Sequence, residues 1–383
     1  MKKVLLVFFT ILIAILSINT QFVYADSGPI IDSKACSLID YNTGKILYEQ
    51  DGDKKYPVAS IVKLMTILLT MESVESGDIN LDDKVIASHS AASMGGSQAF
   101  IEEGGEYSIN DLLKSAIISS ANDASVLLAE TIAGSEDNFV VMMNKKAEEI
   151  GLTNTHYANS TGLPTINQFS SANDCAKLLK EVSKHKIYHK YSKIWIDSLE
   201  HPKGRKTELV NTNKLIRYYK GCEGGKTGST DEAGYCLSAV ASRGDMRLIG
   251  VVLGTESSKE RFAQTTKLLD YGFNNFENKK VVSKGENLNQ TIYVKNGKIK
   301  NLKCEYADDF YVINNKTNRS DILTKIDINT SIKAPISRGE KVGTVYIIKE
   351  GVVIGEIDIV ASENIEQVTI LDNIYRISKN YFV

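Results

Sequence analysis

Hydrophobic positions recur with a helical period through the middle third of the chain. The segment that starts at Ser60 is apolar almost all round, which predicts a helix buried at the centre of a domain. Further helices are predicted at 109–118, 124–132, 138–150 and 172–184. This region is therefore expected to fold as a helical cluster around one fully buried helix.

Short segments of β character lie on both sides of the helical region. Strands are predicted at 35–40, 45–49, 237–241 and 247–254, with a closing helix at 261–273. The first two strands are joined by Tyr41-Asn42-Thr43-Gly44, a hairpin signal. Strands at both ends with helices between them predict an α+β domain. Its antiparallel sheet would take its first and last strands from distant parts of the chain.

Beyond Phe276 the polar and apolar residues alternate, and this pattern predicts a small all-β second domain over 278–362. Its strands are predicted at 291–294, 310–313, 326–328, 341–349 and 351–360. Residues 364–383 are predicted to form a helix with one apolar side, which either docks on the protein or contacts a membrane surface. The predicted divisions are 1–25, 26–277, 278–362 and a tail at 363–383.

The first 25 residues have the pattern of a secretory signal peptide. Lys2 and Lys3 precede an apolar run over 4–18, and the small-residue exit Val23-Tyr24-Ala25 follows. A retained anchor is the alternative, but the run is shorter than the roughly 20 residues that span a bilayer. We therefore predict export to the outer side of the cytoplasmic membrane, with the mature protein secreted or peripheral to that membrane.

Charge and cysteine content exclude some classes of function. The chain has 45 basic and 47 acidic residues and no basic stripe, so no nucleic-acid partner is expected. Its five cysteines are odd in number and widely spaced, which fits neither a disulfide framework nor a zinc site. The two nearest cysteines are Cys222 and Cys236. If residues 231–232 form the turn of a hairpin, Cys236 lies opposite about Thr227, so Cys222 is too far along the paired strand to form a disulfide with it. Buried thiols are the favoured interpretation.

Three short motifs follow one another in a fixed order: Ser60-Ile61-Val62-Lys63, Ser120-Ala121-Asn122 and Lys226-Thr227-Gly228. A single S-x-x-K is uninformative, and residues 183–186 form another one. The ordered set is informative because each motif stands in a context that suits acyl-transfer chemistry.

Ser60 and Lys63 are three residues apart, so in a helix they share one face and lie within hydrogen-bond reach. A serine hydroxyl needs a base to become a nucleophile. Lysine serves as that base only when neutral, and burial near a second cation such as Lys226 lowers its pKa. Ser60 is the predicted nucleophile, Lys63 the proton acceptor, and the Ser60 N–H one half of an oxyanion hole.

The second motif is expected on a turn between helices, where both side chains project into a cleft. Ser120 would relay a proton between the lysines and the leaving group. The Asn122 amide would hold Lys63 and bind a substrate amide. Helix capping by either residue is the alternative.

The third motif is expected on a strand at the edge of the sheet. Gly225 and Gly228 would let a bound peptide lie against the backbone. Lys226 and Thr227 suit a substrate that ends in a carboxylate. The Ser229 N–H would be the second oxyanion donor.

Residues 31–361 resemble a low-molecular-weight penicillin-binding protein of the D-alanyl-D-alanine carboxypeptidase type. Besides the three motifs, the resemblance rests on residues 211–215, 228–234, 246–249 and 268–273. It implies a β-lactamase-like domain in which a Ser60 acyl-enzyme releases the terminal D-Ala of peptidoglycan stem pentapeptides. It also implies that β-lactams acylate the enzyme and that no metal or organic cofactor is needed. The resemblance further assigns Arg261 to binding of the substrate carboxylate; the alternative is that Arg261 is an ordinary charged residue on the surface of a helix. Some relatives have arginine at the position of Thr212 and histidine at that of Ser229.

Three alternatives use the same motifs. A class A β-lactamase needs a carboxylate for deacylation, usually in a Glu-x-x-x-Asn loop, and none occurs between Gly151 and Ser170. A D,D-endopeptidase uses the same machinery on crosslinks. A non-catalytic penicillin-binding sensor or scaffold would have no use for a complete proton relay.

Overall fold

The computed structural model describes residues 28–372 and Ile374 of the 383-residue chain. The predicted signal peptide, residues 1–25, lies outside the described residues. Strands of the first region are β1 (Ala35–Asp40), β2 (Ile46–Gln50), β3 (Lys84–Ile86), β4 (Glu106–Ser108), β5 (Ile196–Glu200), β6 (Lys206–Val210), β7 (Cys222–Thr230), β8 (Gly234–Arg243) and β9 (Met246–Thr255). Helices are α1 (Lys63–Ser76), α2 (His89–Ala92), α3 (Ile109–Ile118), α4 (Asn122–Ala133), α5 (Glu136–Glu149), α6 (Ala172–Val182), α7 (Lys186–Ser192), α8 (Leu215–Tyr218) and α9 (Ser258–Asn275).

The main sheet has the order β2-β1-β9-β8-β7 and is antiparallel throughout. Strand β1 pairs with β9, for example at Ala35 and Leu253, so the predicted joining of distant strands is confirmed. One face packs on the helical cluster and the other on α9. The third motif lies on β7, at the edge of the sheet. The predicted α+β fold is therefore confirmed.

Helix α1 is the buried centre of the helical cluster, with every residue from Lys63 to Met71 buried. A short 3-10 helix, Ala59–Val62, precedes it, so Ser60 lies on a tighter turn than predicted. Ala59 has a φ of 48°, which an alanine seldom adopts. The helix ends at Gly77 in the left-handed conformation, which satisfies the last carbonyl groups.

The second motif lies between α3 and α4. The Ser108 side chain caps α3 by accepting a hydrogen bond from the Asp111 N–H. The residue before α4 is Ala121, whose side chain makes no capping hydrogen bond, and Asn122 is the first residue of the helix. Asn122 therefore starts α4, but neither its side chain nor that of Ser120 accepts a hydrogen bond from the first turn. Asp123 Oδ1 accepts one from the Ala124 N–H.

The second region begins directly after α9. Its strands are β10 (Phe276–Val282), β11 (Asn287–Lys295), β12 (Asn301–Tyr306), β13 (Phe310–Asn315), β14 (Ile322–Ile328), β15 (Ser331–Lys333), β16 (Lys341–Lys349) and β17 (Val352–Ala361). They form a six-stranded sheet, β14-β16-β17-β12-β11-β15, and a pair, β10-β13, around a core of their own. The all-β prediction is confirmed, although β10, β12 and β15 were not predicted.

The helix predicted from Asn364 is wrong for its first residues. Ile365 exchanges two backbone hydrogen bonds with Ile336 and is buried in the second core. The Val368 N–H donates to the Asn296 carbonyl. This segment is extended because its apolar side chains complete the β core. Helical residues begin at Ile370, and the tail at 373 and 375–383 lies outside the described residues.

All five cysteines are free and buried. Cys236 pairs with Gly228, one residue from the predicted register, because the turn between β7 and β8 contains three residues rather than two. Cys222 pairs with Ala241. No helix among the described residues is long and apolar enough to span a bilayer.

Candidate active site

Ser60 and Lys63 meet at the start of the buried helix. Lys63 Nζ lies 2.9 Å from Ser60 Oγ and donates to the Thr161 carbonyl at 2.5 Å. The lysine side chain is fully buried, whereas Ser60 remains partly accessible. A proton can therefore pass directly from the hydroxyl to the amine.

Burial lowers the pKa of Lys63 from 10.5 to about 7, because water no longer solvates the ammonium. The negative charge of Asp123 opposes this shift. The Asp123 carboxylate is itself buried and accepts hydrogen bonds from the N–H groups of Ala99, Ile101 and Ala124. A pKa near 7 leaves a large fraction of Lys63 neutral at physiological pH.

A second lysine contacts the second motif. Lys226 Nζ donates to Ser120 Oγ at 2.7 Å and to the Thr227 carbonyl at 2.9 Å. Burial lowers the pKa of Lys226 well below its ordinary value, and the positive charges of Lys63 and Arg261 lower it further. Ser120 has a φ of 63°, which a serine rarely adopts. The site thus contains two serine-lysine pairs.

Asn122 makes different contacts from those expected. Its Nδ2 donates to the Gly95 carbonyl at 2.7 Å, and its backbone N–H donates to Ser97 at 2.7 Å. Asn122 therefore fixes the preceding loop, while Lys63 is held by the Thr161 carbonyl. The Oδ1 atom of Asn122 is buried and has no partner among the described residues.

The loop that carries Thr161 was not predicted as part of the site. Glu136 accepts hydrogen bonds from the N–H and hydroxyl of Ser160, and Asn159 Oδ1 accepts from the N–H groups of Thr161 and Gly162. The groups of this loop that contact α1 are the main-chain carbonyls of Ser160 and Thr161. Every residue has a main-chain carbonyl, so the sequence does not show which ones take part in a site. The Asn-Ser-Thr-Gly run at 159–162 was the available signal, since such residues favour tight turns.

Gly228 brings the third motif against the turn that carries Ser60. A Cβ on Gly228 would lie 2.5 Å from the Val58 carbonyl oxygen and 3.1 Å from the Ser60 nitrogen. A Cβ on Gly225 would lie 2.2 Å from the Ser238 carbonyl oxygen of β8. Both glycines therefore permit close packing inside the protein. At Gly228 this packing brings the backbone on both sides of the cleft together.

Polar groups continue from the third motif to the sheet edge and to α9. Thr227 Oγ1 donates to Thr212 Oγ1 at 2.8 Å. Arg261 Nη1 donates to the Gly228 carbonyl at 3.2 Å, and the guanidinium lies over Tyr235. Arg261 is 9% exposed, and its Nε has no partner within the described ranges. It is therefore a buried cation at the motif rather than a helix-surface charge.

This arrangement defines an active-site-serine acyl transferase of the penicillin-binding class, with its cleft between the helical cluster and a sheet edge. The family described as D-alanyl-D-alanine carboxypeptidase matches residues 23–257. The C-terminal domain of penicillin-binding protein 5 matches residues 276–367. The chain belongs to the D-alanyl-D-alanine carboxypeptidase family.

Known relatives agree with this assignment. The chain is 41% identical over 337 residues to D-alanyl-D-alanine carboxypeptidase DacF of Bacillus subtilis, covering 88% of this chain and 86% of the relative. Penicillin-binding protein 5 of Haemophilus influenzae has a similar structure, with a TM-score of 0.73, 30% identity and coverage of 88% and 99%. A D-alanyl-D-alanine endopeptidase of Pseudomonas aeruginosa is 33% identical but covers only 62% of this chain and 76% of its own length.

Proposed function

We propose that this chain is a serine-type D-alanyl-D-alanine carboxypeptidase that removes the terminal D-Ala from peptidoglycan stem pentapeptides. The observation that carries the proposal is the 2.9 Å contact between Ser60 Oγ and a fully buried Lys63 whose pKa is about 7. Such a pair supplies a nucleophile and its base at neutral pH.

Acylation begins when Ser60 Oγ attacks the carbonyl carbon of the penultimate D-Ala and Lys63 Nζ takes the hydroxyl proton. The backbone N–H groups of Ser60 and Ser229 stabilise the oxyanion of the tetrahedral intermediate. The C–N bond then breaks, and the proton that Lys63 took is relayed through Ser120 and Lys226 to the amine of the terminal D-Ala, which leaves Lys63 neutral again. Ser60 is left as an acyl ester.

Deacylation repeats these steps with water as the nucleophile. Lys63, neutral again, takes a proton from water, which attacks the ester carbonyl. The Ser60 oxygen leaves and is reprotonated, which regenerates the enzyme.

Substrate binding is assigned to the third motif and its neighbours. Lys226 and Thr227 would bind the terminal carboxylate, with Arg261 adding positive charge at Gly228. Asn122 Oδ1 would accept the N–H of the penultimate residue, since it is the unpartnered buried acceptor. β-Lactams would acylate Ser60 in the same orientation as the terminal dipeptide.

The test is release of free D-Ala from a peptide ending in Lys-D-Ala-D-Ala by the mature protein and by Ser60→Ala. We expect turnover in the parent, none in the variant, and a penicillin adduct on the parent by intact mass. An adduct without turnover would reject the carboxypeptidase and favour a sensor. Rapid loss of penicillin would favour a β-lactamase.

The endopeptidase alternative has one specific observation in its favour, the partial match to the Pseudomonas aeruginosa relative. A crosslinked muropeptide dimer offered beside the pentapeptide separates the two activities. Faster cleavage of the dimer would identify a crosslink-cutting enzyme.

The chain is further proposed to be exported, with residues 1–25 removed, and to approach the membrane through its tail. Ile370, Leu371 and Ile374 are 79%, 78% and 57% exposed, which supports a surface contact. Fractionation of cells that express the full chain or a version ending at Thr369 tests this. Equal release of both forms into the soluble fraction would reject the membrane contact.

A further inference from the structure

A cavity of about 540 Å³ opens at the turn that follows the third motif. Its walls include Ser229, Asp231 and Tyr235 of the β7-β8 hairpin, Glu256 after β9, and Lys34 before β1. Ser229 also belongs to the proposed oxyanion hole, so this cavity, the hairpin pocket, lies next to the active site.

The charged groups that line the hairpin pocket have no partners in the described part of the chain. Asp231 and Glu256 are exposed and make no hydrogen bond or ion pair within residues 28–372. The ammonium of Lys34 likewise has no such partner among those residues. Two carboxylates and one ammonium therefore line the pocket, and the Arg261 guanidinium lies over the ring of Tyr235 in its wall. The exposed carboxylates are the groups that a cationic ligand would contact.

The walls of the pocket are fixed before any ligand arrives. Thr230 Oγ1 accepts a hydrogen bond from the Ala233 N–H at 3.1 Å, which holds the turn that carries Asp231. Thr255 Oγ1 donates to the Tyr235 carbonyl at 3.1 Å, and this bond ties the end of β9 to the hairpin. These bonds fix the backbone next to Asp231 and Glu256, so a ligand group meets both carboxylates without a rearrangement of the main chain.

The direction of the substrate along β7 places its acyl part near this pocket. In the proposed function, the terminal carboxylate lies at Lys226 and Thr227, and the scissile carbonyl lies at the Ser229 N–H. The residue that precedes the two D-alanines therefore continues toward Thr230 and Asp231. One extended residue spans about 3.5 Å, so the side chain of that preceding residue reaches the pocket.

We propose that the hairpin pocket binds the side-chain ammonium of the diamino acid that precedes D-Ala-D-Ala in the stem peptide, with Asp231 and Glu256 as its acceptors. The proposal rests on the proposed function and names a specificity site for it. A terminal ammonium is common to lysine and diaminopimelate. Lys34 favours the diaminopimelate side chain, because that side chain also ends in a carboxylate.

The experiment compares D-Ala release from acyl-Xaa-D-Ala-D-Ala peptides in which Xaa is lysine, Nε-acetyl-lysine or diaminopimelate. We expect kcat/KM for lysine to exceed that for acetyl-lysine by about fivefold, the order found for an accessible ion pair. This ratio should fall toward one in Asp231→Asn with Glu256→Gln and as salt increases. Lys34→Gln should reduce the ratio of diaminopimelate to lysine.

Glu232 provides a matched control, since it lies next to Asp231 on the same exposed turn but does not line the pocket. Glu232→Gln should leave the lysine to acetyl-lysine ratio unchanged. Equal rates for both peptides in the parent, or a ratio retained in the double variant, would overturn the pocket assignment while leaving the carboxypeptidase intact. No D-Ala release from any peptide would overturn the proposed function and the pocket with it.

Discussion

Gly162 lies so close to Ala59 that a methyl group on Gly162 would be 2.1 Å from the Ala59 carbonyl oxygen. Gly162 belongs to the loop whose Thr161 carbonyl holds Lys63, and Ala59 directly precedes the nucleophile. One tight contact therefore positions both members of the Ser60-Lys63 pair.

Gly162→Ala is expected to displace this pair and to slow acylation by penicillin about a hundredfold, because small misplacements of reacting groups carry large penalties. Gly151→Ala is the matched control. Gly151 also has a positive φ, 71° against 82°, but a Cβ there meets no atom within 4 Å. Both variants should lose stability, and only Gly162→Ala should lose acylation rate. Equal acylation rates would contradict the assigned role of the contact.

The rate of acylation should rise with pH through about 7, because only neutral Lys63 accepts the Ser60 proton. The apparent pKa belongs to the coupled pair of lysines rather than to one residue. Stopped-flow acylation by a chromogenic β-lactam between about pH 5.5 and 9 measures it. Lys63→Arg should lower the rate by about 10³, since arginine stays charged. A flat profile would exclude Lys63 as the base.

Lys63→Met should raise the free energy of unfolding at pH 7 by a few kcal/mol while abolishing turnover. Burial lowers the folded-state pKa of Lys63 from 10.5 to about 7, so the unfolded chain binds the extra proton between these values. The stability of the parent therefore rises with pH across this window. Part of the gain is offset because the Thr161 carbonyl loses its donor.

Thermal unfolding of both proteins at pH 7, 8 and 9 measures this difference, which should shrink as the pH rises. Lys145→Met, at an exposed lysine of α5, is the control and should show no such trend. If Lys63→Met is less stable than the parent at pH 7, burial of Lys63 does not destabilise the folded protein as we infer.

The cysteines should be unreactive in the native protein. All five are buried, and burial raises the thiol pKa of Cys36 and Cys175 to about 12 and of Cys222 and Cys236 to about 11. Thiol titration should detect almost none in the native protein and all five after denaturation without reductant. Fewer than five would indicate a disulfide formed during oxidative folding.

Much of the fold follows from local patterns. The period of the apolar residues around α1 and the hairpin signal at Tyr41-Asn42-Thr43-Gly44 predicted elements found in the structure. The three motifs also predicted which side chains lie together. In the structure, Ser60 contacts Lys63 and Ser120 contacts Lys226.

What escaped prediction depends on contacts between distant segments. The carbonyl of Thr161 reaches Lys63 across 98 residues, and a carbonyl occurs at every residue. Asn364 and its neighbours have an amphipathic helical pattern, yet Ile365 completes a β core that only the folded domain provides. The residue that pairs with Cys236 depends on whether the turn between β7 and β8 contains two residues or three, and the sequence of the turn did not determine this.

The pairing of β1 with β9 has a consequence for the order of events in folding. The centre of the sheet cannot form until the residues of β9, from Met246 onward, are present. The turn that carries Ser60 packs against Gly228, so this contact also has to wait for a distant segment. Such long-range closure slows folding relative to local structure. A chain that is still being synthesised therefore contains Ser60 long before it contains a working nucleophile. Reactivity appears only when nearly the whole first domain is available.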